Sequence, residues 1–346
     1  MRLAGLALAG VAGLATLVGQ AALGQAAPGP IMIERQGAFS VGGTVAGDPA
    51  NASLHCDHGT VEYQIPTRPR AHALFLWHSS AAQVWQSRWD GGEGFQSIFL
   101  RRNWPVYLWD GPRVGRGNWG CVDYTYRAVM GRDQQNVASW RFGPAAGQWF
   151  DGVQFPTQDP AALDQALRAR YDEFDTPANA HLEAEAGAMA MERIGPTVVV
   201  TNSAGGWRAL LAALKTPNIK AIVAYENPGY VFPDGEGPQG AEGPFGPTHV
   251  PLAQFVALTR IPMQFVWGDN VDKSPVWSAQ YRICEQFVAI VNRHGGKAEI
   301  LRLPDVGLSG NTHMAMADLN NLAVADQLSL FLKRQGLARR QPQRRR

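Results

Sequence analysis

From about residue 30 onward, short apolar runs alternate with amphipathic stretches. Residues 60–65 alternate apolar and polar in the two-residue period of a strand. Continuous apolar runs follow at 72–77, 105–109, 197–201, 220–225, 263–267 and 298–303. The run at 197–201, Thr-Val-Val-Val-Thr, is β-branched, too short for a helix, and introduced by Gly195-Pro196. Such runs suit strands buried on both faces, as in a parallel sheet covered by helices. Helical spacing appears between them, in Trp207, Leu210, Leu211 and Leu214, and again in Val324, Leu328, Phe331 and Leu332. The alternation predicts an α/β fold with a doubly wound, mostly parallel sheet.

Two stretches break the rhythm. Residues 127–190 separate two strand candidates by far more than a normal crossover. They are expected to form an insertion over the sheet's edge, a cap or lid. Residues 229–251 are rich in Gly and Pro and read as a long loop of the kind usually kept for function. There is no internal repeat.

The N-terminus has its own pattern. Met1-Arg2 precedes an Ala/Leu/Gly-rich apolar stretch to about Leu23, then Gly24-Gln25-Ala26. This reads as a signal peptide over residues 1–26, cleaved after Ala26, with an uncleaved anchor as the competing reading. There is no twin-Arg pair and no cysteine at the cleavage site to take a lipid. The processed protein is expected in the periplasm or outside the cell, with no stable membrane insertion. Residues 27–337 would form the folded domain and 338–346 a solvated, Arg-rich tail.

Hydrophobic residues make up 45% of the 346 positions and charged residues 17%, enough apolar content for a sizeable core. The formal net charge is +2, but setting aside Arg2 and the five arginines of the last eight residues brings it to −4. The body is thus mildly acidic, and a nucleic-acid partner is not expected. The cysteines are Cys56, Cys121 and Cys284. An oxidising compartment permits one disulfide and leaves one thiol over, and Cys56–Cys121 is the expected pair.

The most informative string is Val198-Val199-Val200-Thr201-Asn202-Ser203-Ala204-Gly205-Gly206-Trp207. A buried strand runs straight into small residues and then an amphipathic helix. That context suits a nucleophile elbow, in which a sharp turn pushes a serine hydroxyl out above the sheet. Gly205 and Gly206 let strand and helix pass closely. Thr201 stands where the usual G-x-S-x-G pattern has its first glycine.

A serine hydroxyl needs a base within hydrogen-bond reach. His313, in Gly310-Asn311-Thr312-His313-Met314, follows the last strand and precedes the final helix, where the base of such a fold lies. His294, in Arg293-His294-Gly295-Gly296, is accounted for as a helix terminus. For the acid, Asp269 and Asp272 follow the seventh strand of the usual count and Glu226 follows the sixth. All satisfy the order nucleophile, acid, histidine, and position alone leans to Asp269.

With these residues in view, the sequence resembles secreted bacterial esterases of the α/β-hydrolase superfamily, a divergent branch of serine hydrolases. The resemblance runs from about Ile33 to Phe331. It is carried by Gly37-Ala38-Phe39-Ser40-Val41-Gly42-Gly43, by Asp90-Gly91-Gly92-Glu93-Gly94-Phe95, and by the glycine-rich turn from Asp110 to Gly117. Tyr225-Glu226-Asn227-Pro228, and Asn311-Thr312-His313 with Asp318 to Asn321, add to it. The resemblance implies an α/β-hydrolase fold and places the acid after the sixth strand, hence Glu226, with Asp269 the alternative. It also implies an oxyanion hole of two backbone N–H groups, from Ala204 and from the loop after the 72–77 strand, where Ser79 is the choice. That loop reads His78-Ser79-Ser80 where the family usually has His-Gly, and His78 is read as structural.

The cluster His55-Cys56-Asp57-His58 has metal-ligand types, but no further cluster joins it, so no metal is expected. The turn from Asp110 lacks the lysine of a phosphate-binding loop. Most tryptophans are expected to pack in the core, with some near the elbow and the insertion lining an apolar pocket. The combined expectation is a cofactor-free carboxylic-ester hydrolase acting on a small-molecule ester through Ser203, His313 and Glu226 and an acyl-enzyme. Its rivals are another serine acyl hydrolase (a lipase, a polyester depolymerase or an amidase) and a non-catalytic binding protein on the same scaffold.

Overall fold

A computed structural model describes residues 29–78, 82–123, 128–170 and 174–341. The expected signal peptide and the last five residues of the Arg-rich tail lie outside the described residues. Eight strands form the main sheet: β1 (Ile33–Asp48), β2 (Ala52–Pro66), β3 (Ala73–His78), β4 (Val106–Asp110), β5 (Thr197–Asn202), β6 (Ile219–Tyr225), β9 (Met263–Trp267) and β10 (Ala298–Arg302). Between β6 and β9, β7 (Val231–Pro233) and β8 (Thr248–Val250) make a separate two-stranded parallel sheet within the Gly/Pro-rich loop. The main order is β1-β2-β4-β3-β5-β6-β9-β10. The β1–β2 and β2–β4 pairs are antiparallel, and the rest are parallel.

The unbroken apolar runs have a simple cause, since each central strand feeds two cores. Leu74, Leu76, Val198, Val200 and Val223 face one cluster, while Phe75, Trp77, Val199, Ile222 and Phe265 face the other. The helices, in chain order, are α1 (Gln83–Gln86), α2 (Phe95–Arg101), α3 (Arg132–Ser139), α4 (Pro160–Arg168), α5 (Pro177–Ile194), α6 (Gly205–Ala213), α7 (Leu252–Thr259), α8 (Pro275–Arg293) and α9 (Asn321–Arg334). Residues of α2 and α9 pack on the first face, and residues of α5, α6 and α8 on the second.

Local chemistry sets the helix starts. Asp159, Thr176 and Ser274 precede Pro160, Pro177 and Pro275, and each side-chain oxygen accepts a first-turn N–H. Proline suits that first position because its missing N–H would have no helical partner. The stretch 127–190 holds α3, α4 and most of α5. Ala180, Ala184 and Met191 of α5 join the sheet's second core, whereas Val137, Phe142, Phe155, Ala162 and Ala166 join the first.

β1 is a strand that apolar runs alone do not mark. It is an edge strand, largely exposed and rich in glycine, and extends with β2 as a long hairpin. Cys56 on this hairpin is disulfide-bonded to Cys121, as expected, and Cys284 is a free, buried thiol. Asp57 accepts from Arg113 Nε and Nη2, both at 2.8 Å, and from the Cys121 N–H. Among the described residues, no three metal-ligating side chains converge, and no helix is long and apolar enough to cross a membrane.

Candidate active site

The strand ends on one side of the sheet carry the candidate residues. Ser203 follows β5 directly and sits at φ +55°, a left-handed backbone that a serine rarely adopts. Its N–H donates to the Tyr225 carbonyl at 3.0 Å, and its own carbonyl accepts from Gly206 at 3.0 Å. The turn is therefore tight and tied to β6. Small residues are needed behind it: a Cβ on Gly205 would stand 2.7 Å from the Trp77 carbonyl oxygen, and one on Gly206 2.7 Å from Asn227 Cγ. The Ser203 side of this turn is half-buried, while Ala204 is buried at the start of α6.

Glu226 occupies the matching position after β6, also with a left-handed backbone at φ +51°. Its N–H donates to the Val266 carbonyl at 2.9 Å. Glu226 Oε2 lies 2.7 Å from His313 Nδ1, and both residues are buried. Oε1 accepts from the Gly268 N–H at 2.9 Å and from Arg141 Nη2. Burial opposes ionisation of this carboxyl, but the Arg141 charge and the bond with His313 overcome it and hold it down at about 2. The surroundings thus favour the ionised form of Glu226.

Burial pushes the His313 imidazole below its ordinary value, and Glu226 opposes that push. The ring packs on Trp277, with centroids 4.3 Å apart. The main-chain N–H of His313 donates to the Trp140 carbonyl at 2.9 Å, and its main-chain carbonyl accepts from Asn202 Nδ2 at 2.9 Å. Asn202 immediately precedes Ser203, so the histidine's main chain is anchored at the elbow. Behind the loop, Asp318 accepts from the Thr312 N–H at 2.7 Å, Thr312 Oγ1 at 2.8 Å and Asn311 Nδ2 at 2.9 Å. Its burial pushes its carboxyl up to about 7 in spite of those donors.

Asp269 is turned elsewhere. Its Oδ1 accepts from Asn270 N–H at 2.7 Å and its Oδ2 from Gly310 N–H at 2.9 Å, so it braces the loop that leads to His313. Asp272 lies in a short 3-10 turn, Val271–Lys273. His294 caps the end of α8 and bonds Glu236 at 2.9 Å through Nε2. Buried His78 is pushed down to about 3 by burial and by the charges of His313 and Arg170, so its ring is neutral. Ser79 lies outside the described residues.

Three partners were not singled out from sequence: Arg141, Trp277 and Asn202. Residues 140–155 also contribute an aromatic group, in which Trp140 meets Phe142 edge-on and Phe155 stacks against both Phe142 and Trp149. Trp77, Trp85, Trp104, Trp109 and Trp207 are fully buried core residues.

No family model matches the chain. Among curated proteins it is similar to "Probable secreted lipase phiG" of a fungal species, 23% identical over 317 residues that make up 80% of this chain and 85% of the lipase. Among solved structures it is similar to a bacterial esterase determined at atomic resolution. That match has a TM-score of 0.71 and 25% identity, covering 90% of this chain and 99% of the esterase. The fold is that of the α/β-hydrolases, and the expected resemblance to bacterial esterases stands.

Proposed function

We propose that the protein is an exported serine esterase that cleaves carboxylic esters through Ser203, His313 and Glu226. The observation that carries this reading is the 2.7 Å bond between Glu226 and His313, in a loop tied to the residue before a serine with left-handed backbone. Glu226 fixes the imidazole tautomer and stabilises the imidazolium that forms. His313 takes the Ser203 proton as the hydroxyl oxygen attacks the ester carbonyl. The tetrahedral oxyanion is received by the N–H of Ala204, at the start of α6, and by that of Ser79. His313 then protonates the leaving alcohol, and water repeats the sequence on the acyl-enzyme. Asp269, whose oxygens face main-chain amides, is a bracing residue in this scheme.

The likeness to an esterase and to a lipase supports the ester class of substrate. Export rests on the N-terminal pattern and on the secreted relative. The test is stoichiometric labelling of Ser203 by a fluorophosphonate, together with a burst on a p-nitrophenyl ester. Folded protein that shows neither is a binding module on a hydrolase scaffold. A series of esters of increasing acyl length separates an esterase from a lipase.

A further inference from the structure

We propose that Arg141 is a positioning residue for the Glu226–His313 pair, holding the second carboxylate oxygen and, through Trp277, the face of the imidazole. The proposal rests on the esterase reading above. A carboxylate held at one oxygen can rotate about its last side-chain torsion, which has broad, shallow wells. Here Oε2 faces His313, and Oε1 is fixed by the Gly268 N–H and by Arg141 Nη2. The guanidinium is itself anchored, since its Nε donates to the Asp269 carbonyl at 2.9 Å. It lies 5.8 Å over the Trp277 ring, the same ring that packs on His313.

Three consecutive residues, from the last of α3 onward, reach three parts of the site. The Ser139 carbonyl accepts from Trp277 Nε1 at 2.7 Å, the Trp140 carbonyl accepts the His313 N–H, and Arg141 reaches Glu226. Arg141 has a left-handed backbone, φ +58°, which a residue other than glycine seldom adopts unless the surroundings impose it. Its side chain is buried. Arg141 thus supplies a cation to an acid buried in the protein interior beside His313.

Among the described residues, three further charged or titratable groups bear on the pair. His78 stands at the end of β3, Arg141 reaches in from the insertion, and Asp318 lies behind the 311–313 loop. Asp269 turns its carbonyl toward Arg141 and its carboxylate toward amides. The Arg141 charge disfavours a further proton on the Glu226–His313 pair, whichever atom carries it. Removing it therefore lets the pair protonate at higher pH, and activity requires the deprotonated pair.

The experiment measures kcat/KM against pH for the wild type, Arg141→Met and Arg141→Lys, with Ser203 labelling by a fluorophosphonate as a check that the site is assembled. In Arg141→Met the acid limb is expected to move up by on the order of one pH unit, and kcat to fall by up to about 100-fold. Arg141→Lys keeps the charge but not the fork, so its limb is expected to stay near wild type while kcat falls. A loss in Arg141→Met that is equal at every pH, with an unmoved limb, overturns the proposal. If Arg141→Met does not fold, Arg141→Lys decides: wild-type kcat with an unmoved limb overturns it. Failure of the esterase reading is seen separately, as folded wild type that neither takes the label nor turns over the ester, and failure of its nucleophile as full activity in Ser203→Ala.

Discussion

The side-chain amide of Asn202 donates to the His313 carbonyl at 2.9 Å and to the Tyr225 carbonyl at 3.1 Å. One buried side chain thus joins the end of β5, the end of β6 and the histidine loop, one residue before Ser203. Asn202→Ala removes the donor from the buried His313 carbonyl, which costs about 1–3 kcal/mol, while the Tyr225 carbonyl keeps the Ser203 N–H. The variant is expected to unfold at lower urea and to lose kcat, because the histidine loop is released from the elbow. Wild-type values for both measurements would remove Asn202 from the site.

Ser203→Ala and His313→Ala are each expected to lower kcat by on the order of 10⁴–10⁶. Glu226→Gln is expected to cost far more kcat than Asp269→Asn, whose side chain only braces main-chain amides. Steady-state kinetics on a p-nitrophenyl ester decides. Damage confined to the aspartate variant would move the acid to 269.

The proposed mechanism requires neutral His313, whose proton affinity is lowered chiefly by burial. The acid limb of kcat/KM is therefore expected below the ordinary histidine value of 6.5, with the rate already high near pH 6.5. A limb well above that value, in protein shown to be folded, contradicts this placement of the ring.

Asp318 and Glu226 give stability opposite dependences on pH. The carboxyl of Asp318 is raised from 3.8 to about 7 on folding, so its contribution is full below the lower value and is lost as pH rises through the upper one. That of Glu226 is lowered from 4.5 to about 2, so its contribution is present above the upper value and is lost as pH falls through the lower one. Urea unfolding of Asp318→Asn and wild type at about pH 4.5 and 7.5 isolates the first effect. The wild type is expected to lose more stability than the variant across that interval, and equal losses would refute it.

The thiols can be counted. Burial pushes the Cys284 thiol up to about 12, and the other two cysteines are joined. Native protein is expected to react with no thiol reagent, denatured protein with one equivalent, and denatured, reduced protein with three. The disulfide spans a separation of 65 residues, and replacing both its cysteines by serine is expected to cost about 2–4 kcal/mol. Thermal unfolding of the double variant measures that loss.

What could be read ahead of the structure followed from burial. β3, β5, β6 and β9 are covered on both faces, so nearly every position is buried, most are apolar, and the runs stand out. β1 shows little of this, because most of its residues meet water. The serine corner was legible because a strand, small residues and a helix had to follow one another within a few positions. Choosing between Glu226 and Asp269 needed more than position, since both follow strands and differ in which way the carboxylate faces. Arg141 left no signal at all: a lone arginine in an irregular stretch, whose partner lies 85 residues along the chain, belongs to no local period.

Ser203 and Glu226 each end a neighbouring strand in a conformation that glycine would accept more readily. Replacing Ser203 by glycine relaxes the local backbone while abolishing the chemistry proposed for it, whereas replacing Glu226 strands the buried Arg141 cation and costs stability as well. Heat-selection of variants without an assay for turnover would thus favour dead proteins, and any programme to toughen this molecule has to leave those two corners alone.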